Sequence, residues 1–570
     1  MPLPSSPFTQ GGQTQIHKLR MLKQVVISTV KIGFIGGIFG WLVYFLQHHP
    51  ALNLLVFLAY GWAILMAELG TILEPLSRLC FCVVESQLQR CTANAVLTHP
   101  YAQTLVDVFT CGRQGLLWAF VGFMLTSCLV WVYFLKKGTQ LHKTKKLSGF
   151  DLVDLKDYGR FLKKHHIATS LSLDTIPIPQ EAETKHFMIT GTTGSGKTNA
   201  IHHLLQALRV RGDAVVVVDT TGGYVSRFYE AETDTILNPL DARSVRWSLF
   251  KECETPSHAQ ELASLLIPKP SYQSEFWTQS ARLMLAEGIQ VAKDHAPQKP
   301  LGFLQSILLK EDMNKVEAYF RHTNIASYFS GKGTETAQSI RMTLATSLGS
   351  LSCLEEGGEF SVKKWVQEET KSRWLFLGCD PSQRDYMQSL LTCWFGLAMK
   401  AMMGLEENPT RRVWFIIDEL ASLNAIPALP TALAELRKYG GCVVVGFQNV
   451  SQLEELYGSH ITASLSELTG SKFIFQCVDP KVATRMANML GQQEVLEASE
   501  NISFGANEIR DGISLSHQKK SMPLVSPTEL MQLTPLSLYL KSPLGLPILK
   551  TSLSYLPLPK ITDGFIGKVG

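Results

Sequence analysis

The octapeptide Gly191-Thr-Thr-Gly-Ser-Gly-Lys197-Thr198 restricts what this chain can fold into more than any other stretch. It fits G-x-x-x-x-G-K-[ST]. It follows a short apolar run, His186–Thr190, and precedes helical spacing of Ile201, Leu204, Leu205 and Leu208. A strand, a glycine loop and a helix in that order leave backbone N–H groups free to wrap phosphate oxygens, with the positive end of the helix behind them. On this reading Gly191, Thr192, Thr193, Gly194, Ser195 and Gly196 form the cradle, Lys197 meets the β- and γ-phosphates of a nucleotide, and Thr198 ligates Mg²⁺.

The rest of the second half supplies the sheet that such a loop needs. Ala214–Asp219 (AVVVVD) reads as a buried parallel strand, because β-branched residues occupy both of its faces. Further strands are expected at Arg373–Cys379, Arg412–Asp418, Gly441–Phe447 and Ser471–Cys477, with helices between them. The apolar run Val413–Ile417 delivers Asp418 toward Mg²⁺, directly or through water, and sets Glu419 to polarise an attacking water. A solvated acidic turn is the plainer alternative for that pair. Gln448 ends another strand, where a carboxamide can both donate to and accept from phosphate or water, or simply begin a loop. Arg437, within Leu433-Ala-Glu-Leu-Arg-Lys-Tyr439, can equally be an exposed helix arginine.

Between about His258 and Val362 the strand signals fade and helical patterns take over, at His258–Leu266, Phe276–Lys293 and Thr336–Leu348. An all-helical insertion is expected there. A chain of 570 residues is long enough for roughly three or four compact units. Charged residues are only 18% and hydrophobic ones 45%, and the surplus of apolar residues lies in the first quarter. Val25–Leu46 and Gly115–Leu135 are each long enough to cross a bilayer. Lys18, Arg20 and Lys23 precede the first, and Lys136, Lys137, Lys143, Lys145 and Lys146 follow the second, so both outer flanks are expected on the cytoplasmic side. A third apolar run, Ala51–Ala67, would make the crossings odd in number, and is read as an external segment on or dipping into the membrane surface. Cys80, Cys82, Cys91 and Cys111 lie between the spans with no pairing legible. Beyond the second span, Cys253, Cys353, Cys379, Cys393, Cys442 and Cys477 read as small reduced core residues. No Cys/His spacing suits a metal site, and a net charge of +4 neither demands nor excludes nucleic acid.

Several segments then resemble one family in order. Besides the phosphate loop they are Ile236–Arg243 (ILNPLDAR), Phe276–Arg282 (FWTQSAR), Ala337–Arg341 (AQSIR), Trp414–Glu419 (WFIIDE), Leu436–Gly441 (LRKYGG), Phe447-Gln448, Ser503–Ser514 and Thr9–Gly12. Over about residues 10 to 555 the chain resembles the TraD-type type IV coupling proteins. The resemblance implies an α/β, RecA-like P-loop NTPase domain with an inserted all-α domain and an N-terminal two-helix transmembrane anchor. It implies a cytoplasmic N-terminus (1–24), spans at 25–46 and 115–135, an external segment (47–114), a basic linker (136–185), a nucleotide-binding domain (186–257 and 363–550), the insertion (258–362) and a tail (551–570). Activity and partners follow from it too: ATP hydrolysis with Mg²⁺, a multi-pass inner-membrane location with the ATPase domain cytoplasmic, and a homohexamer. That ring would pass single-stranded DNA and its relaxase complex to the components of a type IV secretion channel. Asp418 and Glu419 become the metal and water pair, Gln448 the sensor, and Arg437 the arginine finger.

Two departures stand out. The family pattern places an acid after the glycine that follows the strand ending in Asp219, whereas here Gly222 is followed by Gly223. The long C-terminal extension of F-type relatives has no counterpart in this sequence, which leaves that mode of relaxosome docking in doubt. Two rival readings share the phosphate loop: an FtsK/HerA-like pump for double-stranded DNA, and a coupling platform for secreted protein effectors.

Overall fold

The computed structural model describes residues 7–48, 51–70, 80–84, 87–98, 102–141, 145–268, 275–329, 333–368, 371–503 and 512–568. Most of the segment Ser503–Ser514 lies outside them. The described residues fall into two units, one within Met1–Lys145 and Leu496–Gln518, the other within Lys146–Val495 and Lys519–Gly570.

In the first unit the long helices Pro7–His48 and Ala102–Leu141 pack antiparallel, and contain stretches, Leu22–His48 and Arg113–Lys136, long and apolar enough to cross a membrane. Small residues allow the close approach. A Cβ on Gly40 would lie 2.6 Å from the Trp118 carbonyl oxygen, and one on Gly122 would lie 2.5 Å from that of Gly36. Backbones that touch in this way are how helices gain van der Waals contact where lipid offers no hydrophobic drive. Leu117, Phe120 and Phe39 point outward, more than half exposed. The apolar run after the first of these helices is itself a helix, Ala51–Gly70, whose Ala63 and Met66 bury against Ala93. The hairpin Cys80–Val84 with Gln87–Cys91 sets Cys80 opposite Cys91.

The second unit is built on a ten-stranded sheet: β1 (Leu152–Val153), β2 (Phe187–Thr190), β3 (Ala214–Asp219), β4 (Thr235–Leu237), β5 (Trp374–Gly378), β6 (Val413–Ile417), β7 (Gly441–Phe447), β8 (Ser471–Ile474), β9 (Ser537–Lys541) and β10 (Ile548–Ser552). Their order across the sheet is β1-β10-β9-β8-β2-β7-β6-β3-β5-β4. From β8 to β4 all neighbours are parallel, and β9 runs against β8 and β10. Both faces are buried. Val215 and Val217 of β3, Trp374 and Phe376 of β5, and Trp414 and Ile416 of β6 enter one core with the helix Lys197–Arg211. The alternate residues Val216, Val218, Leu375, Leu377, Phe415 and Ile417 enter the other. A period of two with both sets apolar is what makes these strands continuous hydrophobic runs.

Two strands are shorter than their sequences suggest, for reasons that matter at the site. His186 takes φ 63° and so cannot begin β2; its ring joins the Leu433 carbonyl and the Val443 N–H instead. Phe475–Cys477 leave the sheet after β8 to seat beneath the phosphate loop, where the Gln476 carbonyl accepts from Thr192 N–H at 2.8 Å. Residues 145–183, expected as a basic linker, are folded: a helix, Leu155–Lys164, buries Tyr158 and Leu162, and a hairpin, Thr169–Leu173 with Ile176–Pro179, buries Leu171, Leu173, Ile176 and Ile178. Their polar composition hides one-sided apolar spacing. Between β4 and β5 the regular elements among the described residues are helices, from Leu249 to Gln367. These helices share one continuous core with the β6 and β7 face of the sheet, and do not enclose a core of their own. Cys253, Cys379, Cys393, Cys442 and Cys477 are buried in these two cores or at their edge, while Cys353 is half-buried.

Candidate active site

Chain order and sheet order differ in a way that gathers the chemistry. The sequence β2-β7-β6-β3 across the sheet puts the ends of four parallel strands side by side, so that Gly191, Gln448, Asp418 and the residues after Asp219 line one carboxyl edge. Crevices at this edge are where open α/β sheets take their ligands. The strands must approach closely there: a Cβ on Gly446 would fall 2.0 Å from the Asp418 carbonyl oxygen, so glycine at that position lets β6 and β7 deliver Asp418 and Gln448 together.

The phosphate loop is pinned from below and open above. Besides the Thr192–Gln476 bond, Leu536 N–H donates to the Ser195 carbonyl at 2.8 Å, and the Ser195 hydroxyl donates to the Thr192 carbonyl at 2.6 Å. Gly194 and Gly196 take φ 77° and 119°, a region that L side chains rarely adopt. A Cβ on Gly194 would meet nothing within 4 Å, so the space over the loop is clear. Lys197 is buried, and its Nζ donates to the Gly191 carbonyl at 2.7 Å and to that of Thr192 at 3.1 Å. Burial holds its pKa below the usual lysine value, opposed by the charges of Asp418 and Glu419. Thr193 and Thr198 are exposed at the rim.

Three sequence-predicted partners meet this loop. Thr198 Oγ1 donates to Asp418 Oδ2 at 2.9 Å, which brings two hard oxygen atoms together on the side where a divalent cation is expected. Thr193 Oγ1 donates to Gln448 Oε1 at 2.7 Å. Both carboxylate oxygens of Glu419 are buried without a hydrogen-bond partner among the described residues. Burial raises the Glu419 pKa; the Lys197 charge opposes this, Asp418 adds to it, and the backbone N–H groups of Gln448 and Ala421 face the carboxylate without closing a hydrogen bond. A pair of orphaned oxygens beside a lysine, a threonine and a second carboxylate fits a site that takes Mg²⁺, phosphate and water.

Arg437 is not brought to this edge. It lies exposed in the last turn of the helix Leu429–Tyr439, which ends where β7 begins, at the amino edge of the sheet. The seven residues of β7 put roughly 20 Å of strand between the two edges.

Two residues beside the site escaped the sequence reading. Asp219, 1% exposed, accepts backbone N–H bonds from Thr221, Gly223, Tyr224 and Val225 at 2.8–3.2 Å and so folds the loop after β3 around its carboxylate. Burial raises its pKa and these four donors pull it back. Tyr224, carried by that loop, donates its hydroxyl to Asp418 Oδ2 at 2.9 Å. The glycine pair at Gly222-Gly223 stood out for the acid it lacks, but nothing in it pointed to the tyrosine.

The chain is similar to known proteins over most of its length. A family described as the type IV secretion-system coupling protein DNA-binding domain matches residues 170–554. The coupling protein TraD of Escherichia coli (strain K12) is 31% identical over 98% of this chain and 79% of its own length. The conjugal transfer protein TraG of Rhizobium radiobacter is 26% identical over 35% of this chain and 30% of its own. Among solved structures, the plasmid coupling protein TrwB in complex with ADP and Mg²⁺ superposes with a TM-score of 0.66 at 27% identity, covering 75% of this chain and 97% of TrwB. A second TrwB structure, with a non-hydrolysable ATP analogue, superposes equally well, at 26% identity over 75% of this chain and 98% of the other.

Proposed function

Because the chain belongs to the type IV secretion-system coupling protein family, as a nucleotide-binding NTPase of conjugative DNA transfer, we propose that it hydrolyses ATP to drive that transfer across the inner membrane. The observation that carries the reading is the meeting of Thr198 and Asp418 at 2.9 Å beside the orphaned Glu419 carboxylate, at the open mouth of the phosphate loop. Lys197, now spent on loop carbonyls, turns to the β- and γ-phosphates of ATP. Glu419 takes the proton of the attacking water; a raised pKa suits it to that task. Thr198 and Asp418 would hold Mg²⁺, which would supply charge neutralisation to the phosphates. Gln448, tied to Thr193, reads the terminal phosphate through a carboxamide that can donate or accept.

Arg437 belongs to a different part of the scheme. Placed at the amino edge and exposed, it is suited to a neighbouring subunit's nucleotide, which supports a ring, six copies by family likeness. The ring grips single-stranded DNA through lysine and arginine contacts to phosphate, and receives it from a relaxase complex on the way to the secretion channel. Two antiparallel helices anchor each subunit as a two-span hairpin with the ATPase domain cytoplasmic.

The test is Lys197→Ala. The variant should fold, insert in the membrane and lose both ATP turnover and DNA transfer. Wild-type turnover in that variant would sink the assignment of the phosphate loop, and lost turnover with wild-type transfer would separate hydrolysis from transport.

A further inference from the structure

The loop after β3 is where the family's acid is missing, and it carries a buried tyrosine aimed at the site. Tyr224 is 4% exposed, and its hydroxyl shares Asp418 Oδ2 with Thr198 Oγ1, both at 2.9 Å. Two hydroxyl donors on one carboxylate oxygen restrict how the carboxylate can turn. Thr198 stands on the phosphate-loop helix after β2 and Tyr224 on the loop after β3, so groups from two different strand ends meet on the carboxylate that follows β6.

We propose that Tyr224 is a positioning residue for the metal side of the site: its hydroxyl holds the Asp418 carboxylate in the orientation that binds Mg²⁺. This rests on the assignment of Asp418 to the metal. Outer-sphere donors of this kind orient a ligating carboxylate and raise its affinity for the ion.

Three features give the phenol one place to be. Asp219 gathers the four backbone N–H groups of residues 221 and 223–225 described above, which fixes the Cα of Tyr224. The ring stands edge-on to His202 of the phosphate-loop helix, centroids 5.7 Å apart. From outside, the segment after β10 presses on the loop: Ile561 N–H donates to the Ser226 carbonyl at 2.8 Å, and Arg243 Nη1 reaches the Asp563 carbonyl at 2.9 Å. Gly222, at φ 70°, and Gly564 touch through bare backbone, for a Cβ on Gly564 would lie 2.4 Å from the Gly222 carbonyl oxygen.

Tyr224→Phe removes one oxygen and leaves the ring. In the full-length chain in detergent, affinity for a fluorescent ATP analogue in EDTA should match wild type. The Mn²⁺ concentration for half-saturation, read by electron paramagnetic resonance with nucleotide present, should rise roughly 10- to 100-fold, the usual effect of losing an outer-sphere partner. Gly564→Ala should raise it in the same direction with the phenol intact, because its methyl group displaces Gly222; it also serves if Tyr224→Phe proves too unstable to assay. An unchanged Mn²⁺ midpoint in a folded Tyr224→Phe chain, or in Gly564→Ala where that variant stands in, overturns the proposal. Asp418→Ala separates the two levels. If it too leaves the midpoint unchanged, the metal-side assignment fails; if it shifts the midpoint while Tyr224→Phe does not, only the role of Tyr224 fails.

Discussion

Glu419→Gln should make this protein more stable and less active at once. The wild-type carboxylate has both oxygens buried with no hydrogen-bond partner among the described residues, and sits beside Asp418. Leaving a buried polar group unsatisfied costs about 1–3 kcal/mol, and more when it is charged. Glutamine keeps two polar atoms in the same shape but removes the charge, so we expect to recover about 1–2 kcal/mol. With roughly 2.1 cal/mol/K of unfolding entropy per residue, a unit of about 400 residues melts with about 0.8 kcal/mol/K, and the melting temperature should rise by about 1–2 °C. The sign of the pH dependence follows from burial. A carboxyl whose folded pKa is raised destabilises the fold only where it must ionise: the cost is absent below the usual glutamate value near 4.5, grows through the interval up to the raised value, and is constant above it. The stability advantage of glutamine should therefore be full at alkaline pH and vanish in acid. Phosphate release should fall by roughly 10²- to 10⁴-fold, the usual worth of a positioned base, with nucleotide binding retained. Thermal melts across pH, paired with phosphate release at saturating ATP, read both halves. A variant that melts below wild type at alkaline pH, or hydrolyses at the wild-type rate, would refute the reasoning from the orphaned carboxylate.

Arg437→Ala and Lys197→Ala should each abolish turnover, yet mixing the two should restore part of it, because some interfaces then join an intact phosphate loop to an intact arginine. Arginine fingers are worth roughly 10³ to 10⁵ in rate; mixed rings as inactive as either parent would show that Arg437 does not act in trans, and a small loss in Arg437→Ala alone would mark it as an ordinary surface arginine. Topology is tested by reporter fusions: one inserted near Ser86 should be external and one following Lys146 cytoplasmic, and identical placement of the two would refute a two-span hairpin.

What the sequence revealed and what it hid divide along physical lines. The phosphate loop and the Val413–Glu419 run were legible because their chemistry is local: a strand, a turn and the residues at its end suffice. Both long apolar helices were legible because a continuous stretch of that length and apolarity stands out in the sequence. The strands β1, β4, β9 and β10 were missed, the first two for being two and three residues long and the others for proline-rich surroundings. Residues 145–183 looked like a linker because burial there rests on a few residues, such as Tyr158 and Leu162, among many charges. Tyr224 could not be found at all. Its partner lies 194 positions away, and only the β6–β3 neighbourhood puts the two together. Arg437 was visible as a residue, but its distance from the nucleotide of its own subunit depends on which edge of the sheet its helix reaches.

The segment that presses on the loop after β3 also sets a clock. Asn199, on the first turns of the phosphate-loop helix, exchanges hydrogen bonds with Ser554 and Leu556, and the first of these spans 355 positions. A ribosome moving at roughly 5–20 residues per second needs roughly 20–70 s to cover that distance. Both apolar helices emerge long before. A nascent chain thus completes its two long apolar helices first and the packing against its phosphate-loop helix last.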